Sequence, residues 1–139
     1  MNALNMSNQG YLLLFHSNEW YNHISRAELQ KIMAEKDVWF ERLVAQGKIK
    51  GGQALARKGT MVSGKKGSSR SDGPFAESKE IIGGYLLLNV ETLAEAAAIA
   101  QGHPGLAYGG QIEVRALTDV CPLDARLEAL TREEELATV

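Results

Sequence analysis

The side chains best suited to chemistry lie in one short stretch and at isolated imidazoles. Asp72, Glu77 and Lys79 fall within Asp72-Gly73-Pro74-Phe75-Ala76-Glu77-Ser78-Lys79-Glu80. A carboxylate beside an ammonium group stays charged, which suits Asp72 to general-base work or to binding a cationic or hydroxylated ligand. Phe75, Glu77, Lys79 and Tyr85 are the accompanying ligand-binding candidates. The stretch has an equally simple structural reading as a rigid turn. Asp72 can hydrogen-bond its own backbone two residues on, Gly73 supplies unusual dihedrals, and Pro74 ends strand pairing. Phe75 then anchors the turn in the core.

Imidazole is the side chain most easily poised for proton transfer near neutrality. His16 ends the first apolar run and His103 precedes Pro104; both are candidates to assist Asp72, although a lone loop histidine is more often a surface or helix-end residue. The first and last strands are expected to flank different central strands, which leaves open whether the two rings share a pocket. His23 reads as structural or exposed. Gly51-Gly52, Gly83-Gly84 and Gly109-Gly110 lack the context of a phosphate-binding loop, and bulges or close backbone approach explain them. Residues 48–70 hold Lys48, Lys50, Arg57, Lys58, Lys65, Lys66 and Arg70 with no acidic residue. No aromatic residue interleaves them, so a protected edge strand is favoured over a nucleic-acid platform. Trp39-Phe40 reads as core or subunit contact rather than a cofactor box.

These groups must be carried by a chain of 139 residues, 45% hydrophobic and 23% charged, the profile of one ordinary globular domain. A net charge of -2 does not suggest a dedicated polyanion binder. Cys121 is the single cysteine, which excludes an internal disulfide and a Cys-rich zinc site; no cofactor or metal is expected. The first ten residues lack the basic start and apolar run of a signal peptide, and no apolar stretch nears the roughly 20 residues of a membrane span. The expectation is a cytoplasmic protein with a polar tail over 1–10, a domain over 11–118 and an extension over 119–139.

Tyr11-Leu12-Leu13-Leu14-Phe15 suits a strand buried on both faces. Ser25 and Glu28 form a capping box for a helix over 26–46, with Leu29, Ile32, Met33, Trp39, Phe40, Leu43 and Val44 on one stripe and Gly47 beyond its end. Short strands are expected at 53–56 and 60–63, a flexible tip at 64–69, a turn at 72–75 and a firm strand at 85–90. Thr92 and Glu95 open an Ala-rich helix that stops at Gly102. Residues 111–117 alternate as a strand with one wet face. Residues 122–136 form either a third helix, with Leu123, Leu127 and Leu130 on one side, or a frayed tail. The order is that of an α+β, ferredoxin-like split β–α–β sandwich with two helices on one sheet face. Several exposed leucines on the other face, each worth about 1.5–3 kcal/mol when buried, call for a cover, and a second copy of the chain is the simplest one.

The segment from Asp72 to Glu80, followed by Gly83-Gly84-Tyr85, resembles the signature of the DGPF-type YCII-related proteins. Tyr11-Leu12-Leu13-Leu14 and Gly109-Gly110-Gln111-Ile112-Glu113-Val114-Arg115 are similar to the same family, so the resemblance runs from about Tyr11 to Leu117. It implies a dimeric α/β-barrel built from ferredoxin-like protomers and says little about chemistry. Members often occur beside sigma factors of the extracytoplasmic class, and the wider superfamily includes an enzyme of chlorinated-aromatic breakdown. YCII-type relatives carry a His–Asp pair, the His on the first helix and the Asp just before a Pro after the second. Here the first helix has no His and His103 stands before Pro104, so the pair is not carried over.

The resulting expectation is a homodimeric small-molecule-binding protein with acid–base chemistry at the Asp72 turn, assisted by His16 or His103. The alternative is a non-catalytic interaction protein working with a transcription-factor partner, supported by the acidic Glu133-Glu134-Glu135 and the basic 48–70 segment. Neither reading involves a membrane or a nucleic acid.

Overall fold

Strand β1 (Tyr11–Ser17) leads through a 3-10 turn at Trp20–His23 into helix α1 (Arg26–Ala45). The structure is a computed structural model that describes residues 10–74 and 81–138, with the backbone alone described for 71–74. The start of α1 is fixed by a complete capping box. The Ser25 hydroxyl accepts from the Glu28 N–H at 3.1 Å, and the Glu28 carboxylate accepts from the Ser25 N–H. Past its end Gly47 takes φ 70°, a left-handed value that glycine adopts without steric cost.

The chain continues through β2 (Ile49–Ala54), β3 (Lys58–Ser63), β4 (Ser69–Pro74) and β5 (Ile81–Leu88) to helix α2 (Leu93–Gln101), β6 (Gln111–Ala116) and helix α3 (Pro122–Ala137). Thr92 caps α2 through the Glu95 N–H. Strands β2, β5, β1 and β6 form an antiparallel sheet in that order, while β3 and β4 pair as a separate two-stranded sheet. Each of α1 and α2 joins strands separated by another strand, which is split β–α–β connectivity.

Leu13 and Leu88 are fully buried and cluster with Leu43 of α1 and with Ala96, Ile99 and Ala100 of α2, so both helices lie on the Leu13 side of the sheet. Alternation along the strands sends Leu12, Leu14, Tyr85 and Leu87 to the opposite side, where all four are half-buried. The apolar stripe read on α1 is covered along one edge only: Ile32 and Leu43 are buried, whereas Met33, Phe40 and Val44 are exposed.

Several expectations are corrected. Asp72, Gly73 and Pro74 do not turn; they run in β4 opposite Thr60, Gly59 and Lys58. The reversal is made earlier, at 64–68, where Gly64, Lys66 and Gly67 have positive φ, and Pro74 is tolerated because it stands at the end of a strand that, among the described residues, pairs on one side only. The first and last strands are direct neighbours, β1 pairing with β6 from Tyr11↔Ala116 to His16↔Gln111. The third helix is formed rather than frayed, and β5 begins four residues before the expected start.

Candidate functional site

At the end of the sheet where β1 exits, a bulge interrupts the β1–β5 ladder: Phe15 pairs with Gly84 and His16 with Ile82, leaving Gly83 unopposed. Bulges of this kind re-aim side chains and often stand beside functional sites. Here Phe15 and His16 border a cavity of about 240 Å³ together with Trp20, Arg57, His103 and Leu106. A dry cavity of roughly 150 Å³ accommodates one benzene ring, so this space suits a compact molecule.

His16 and Glu113 share one face of adjacent strands, two registers apart on the diagonal. The His16 Nε2 donates to Glu113 Oε1 at 2.8 Å, and Arg115 donates to the other carboxylate oxygen at 3.2 Å. The His16 bond first, and the Arg115 bond second, hold the Glu113 carboxyl below its ordinary range. With Nε2 carrying the shared proton, the neutral ring leaves its lone pair on Nδ1. That atom is sealed from bulk water and has no hydrogen-bond partner among the described residues. A carboxylate that fixes the tautomer of an imidazole prepares its second nitrogen as a base, and here that nitrogen is covered, so it must be exposed before it can take a proton from a ligand.

His103 is positioned differently. Its Nδ1 accepts the Gly105 N–H at 3.0 Å, so in the neutral ring Nε2 carries the proton and is a donor. The ring stands edge-on to Trp39 at 5.1 Å and tilted against Phe15 at 5.6 Å. Burial, and secondarily the Lys36 ammonium, push its pKa down. Gly105 permits the close approach: a Cβ there would meet Trp20 at 2.8 Å and the His103 ring at 3.1 Å. Trp20 itself is held over the cavity by Asn18, which accepts from the Trp20 N–H and donates to the Gly109 carbonyl. Arg57, on the loop before β3, pairs with Glu19.

Residues 11–120 match the YCII-related domain. The chain belongs to the YCII-related family. No curated protein matches it. In this YCII-related protein His16 and His103 border the same cavity. Tyr85 borders a neighbouring groove of about 640 Å³ beside Trp39 and Phe40. The Asp72 side chain, and Phe75, Glu77 and Lys79 entirely, lie outside the described residues; Ile81, where the described chain resumes, borders the cavity. His23 is exposed.

Glu113, Trp20 and Arg57 were not expected at a site. Glu113 was within reach of the sequence, because placing the last strand beside the first sets it diagonally from His16; Trp20 and Arg57 depend on loop paths that no periodicity encodes. Among the described residues no cluster of three His, Cys, Asp or Glu side chains could hold a metal ion, and no helix is long and apolar enough to cross a membrane.

Proposed function

We propose that this YCII-related protein binds a small, partly apolar molecule bearing a carbonyl group in the Trp20 cavity and moves a proton next to that carbonyl. The single observation that carries the reading is the pair of imidazoles on one small cavity, each with its tautomer set by a different partner. His16, oriented by Glu113, is the base through Nδ1, which local movement must first uncover to the cavity. His103, kept neutral by burial, offers Nε2–H to the developing oxyanion; a neutral imidazole serves as an electrophile of this kind in other enzymes. Phe15, Trp20 and Leu106 supply apolar walls. The acid–base work thus rests on imidazoles, with Asp72 kept as a binding or assisting group on the strand that pairs with Lys58, next to Arg57.

The test is solvent-deuterium exchange into a panel of small cyclic and aromatic ketones, followed by NMR. Wild-type protein should exchange protons next to the carbonyl, and His16→Ala should lose this while still perturbing the Trp20 indole signal on ligand addition. Glu113→Gln should slow exchange about 10²-fold or more, as loss of a base-orienting carboxylate does. Exchange at the buffer rate with every ketone that binds would end the catalytic reading, and Asp72→Ala reports separately on the assisting group.

The same proposal includes self-association into a dimeric α/β-barrel through the Leu12, Leu14, Tyr85 and Leu87 face. It is supported by the half-buried Leu12, Leu14, Tyr85 and Leu87 on the sheet side opposite both α1 and α2, a face bordered on β6 by Glu113 and Arg115. Sedimentation should give a dimer at low micromolar concentration, and Leu14→Lys should weaken it.

A further inference from the structure

Two elements have apolar surfaces that the described residues leave in solvent. The β3–β4 pair is an isolated two-stranded sheet with Met61 61% and Val62 57% exposed; such hairpins are marginal in water without a third strand or a covering helix. Helix α3 has the complementary defect. Leu123, Leu127 and Leu130 recur at helical spacing on one stripe, the first two 79% and 65% exposed. Helix and hairpin therefore do not cover one another within a single chain.

Charge indicates what covers them. Along one edge of the leucine stripe, helical spacing aligns Asp124, Glu128, Arg132 and Glu135, three carboxylates against one guanidinium, which with Leu127 and Thr131 border a shallow groove. The hairpin is basic: Lys58 shares a strand face with Val62, and Lys65 and Lys66 form the tip. Over 58–74 the sequence has Lys58, Lys65, Lys66 and Arg70 against a single acidic residue, Asp72, in β4 at the register position opposite Thr60.

We propose that α3 of one copy lies across the Val62 face of the β3–β4 hairpin of a second copy, leucines on Val62 and the acidic edge beside Lys58, Lys65 and Lys66. Under two-fold symmetry the contact forms twice, and each copy gives a helix and receives one. The helix supplies the layer that the two-stranded sheet lacks. This clasp shares with the barrel reading only the need for a second copy; its residues are different, and it does not depend on turnover in the cavity.

The test uses the full chain. Sedimentation over a concentration series compares wild type with an acidic-edge reversal (Asp124→Lys, Glu128→Lys, Glu135→Lys), a hairpin reversal (Lys58→Glu, Lys65→Glu, Lys66→Glu) and the two combined. Each reversal alone should weaken the dimer about tenfold or more, and the combination should recover most of that loss. All the exchanged residues are exposed, and circular dichroism confirms that each variant is folded. Zero-length carbodiimide cross-linking of a mixture of ¹⁵N-labelled and unlabelled chains should join hairpin lysines to α3 carboxylates in mixed-isotope pairs. Same-isotope pairs alone, a dimer constant unmoved by either reversal, or additive loss in the combination would each overturn the clasp. If Leu14→Lys dissociates the dimer and the reversals do not, the sheet-to-sheet reading stands and the clasp falls; a clasp that responds while Leu14→Lys has no effect gives the opposite result.

Discussion

The four-stranded sheet with its two helices and the outer pair of hairpin and α3 use the same sequence device, a one-sided apolar pattern, with opposite outcomes. On the sheet, Leu13 and Leu88 meet Leu43, Ile99 and Ala100 and leave water completely or nearly so. On the outer pair, Val62, Leu123 and Leu127 keep most of their surface in solvent. Local chemistry differs in parallel. Helix α1 opens on a full capping box, whereas α3 opens at Cys121 with no side-chain cap and a Pro in its first turn. Amphipathic patterning therefore states that a face needs cover and is silent about the source of that cover. Where the apolar strands are central and both helices follow short connections, the chain covers itself.

The largest test of this contrast is paired truncation. Leu13→Ala should cost about 2–5 kcal/mol in urea unfolding, the range for a fully buried leucine. Leu127→Ala, measured at a concentration where sedimentation shows single chains, should stay within about 0.5 kcal/mol. A cost at Leu127 that rivals Leu13 in the dilute monomer would place α3 inside the core and erase the distinction. A smaller effect is expected at the bridge between the helices. The Trp39 Nε1 donates to the Ile99 carbonyl at 3.0 Å, tying α1 to α2 over the sheet, and Trp39→Phe should cost about 1 kcal/mol through that bond.

The caps sharpen the comparison further. Ser25→Ala should lower global stability by about 1 kcal/mol, because α1 unfolds with the core. Cys121→Ser gives α3 the hydroxyl it lacks and should raise helix content by circular dichroism without moving the urea midpoint of the sheet. A shift of that midpoint would show that α3 and the core unfold together.

What could be read in the residues followed the same division. The first and last strands, the two capped helices and the split connectivity were legible because period, cap chemistry and glycine placement agree locally, whereas β2 lies at Ile49–Ala54 and not at 53–56. The turn expected at Asp72-Gly73-Pro74 was not formed, because Gly64 and Gly67 provide the reversal first and leave these residues to pair as the closing strand of a hairpin. At the site, His16 and His103 were found by residue type alone. Their meeting on one cavity depends on β6 lying beside β1 and on the bulge at Gly83, both of them consequences of pairing between segments far apart in the chain.

The smallest effect expected is a pH dependence that belongs to the core region and not to the outer pair. Burial, then Lys36 on α1, lowers the pKa of His103, so near neutrality the folded chain holds the ring uncharged. As pH falls below the ordinary histidine value of about 6.5, the unfolded chain takes up a proton that the folded chain resists, and stability declines toward the folded pKa. Protonation also removes the Nδ1 acceptor used by the Gly105 N–H, an effect of the same sign. Urea midpoints between pH 7.5 and 5.5 should therefore fall in wild type and flatten in His103→Asn. Because the dependence arises where Phe15 and Trp39 enclose the ring, it should persist unchanged in a chain ending at residue 120; loss of the slope on that truncation would tie α3 to the packing around His103.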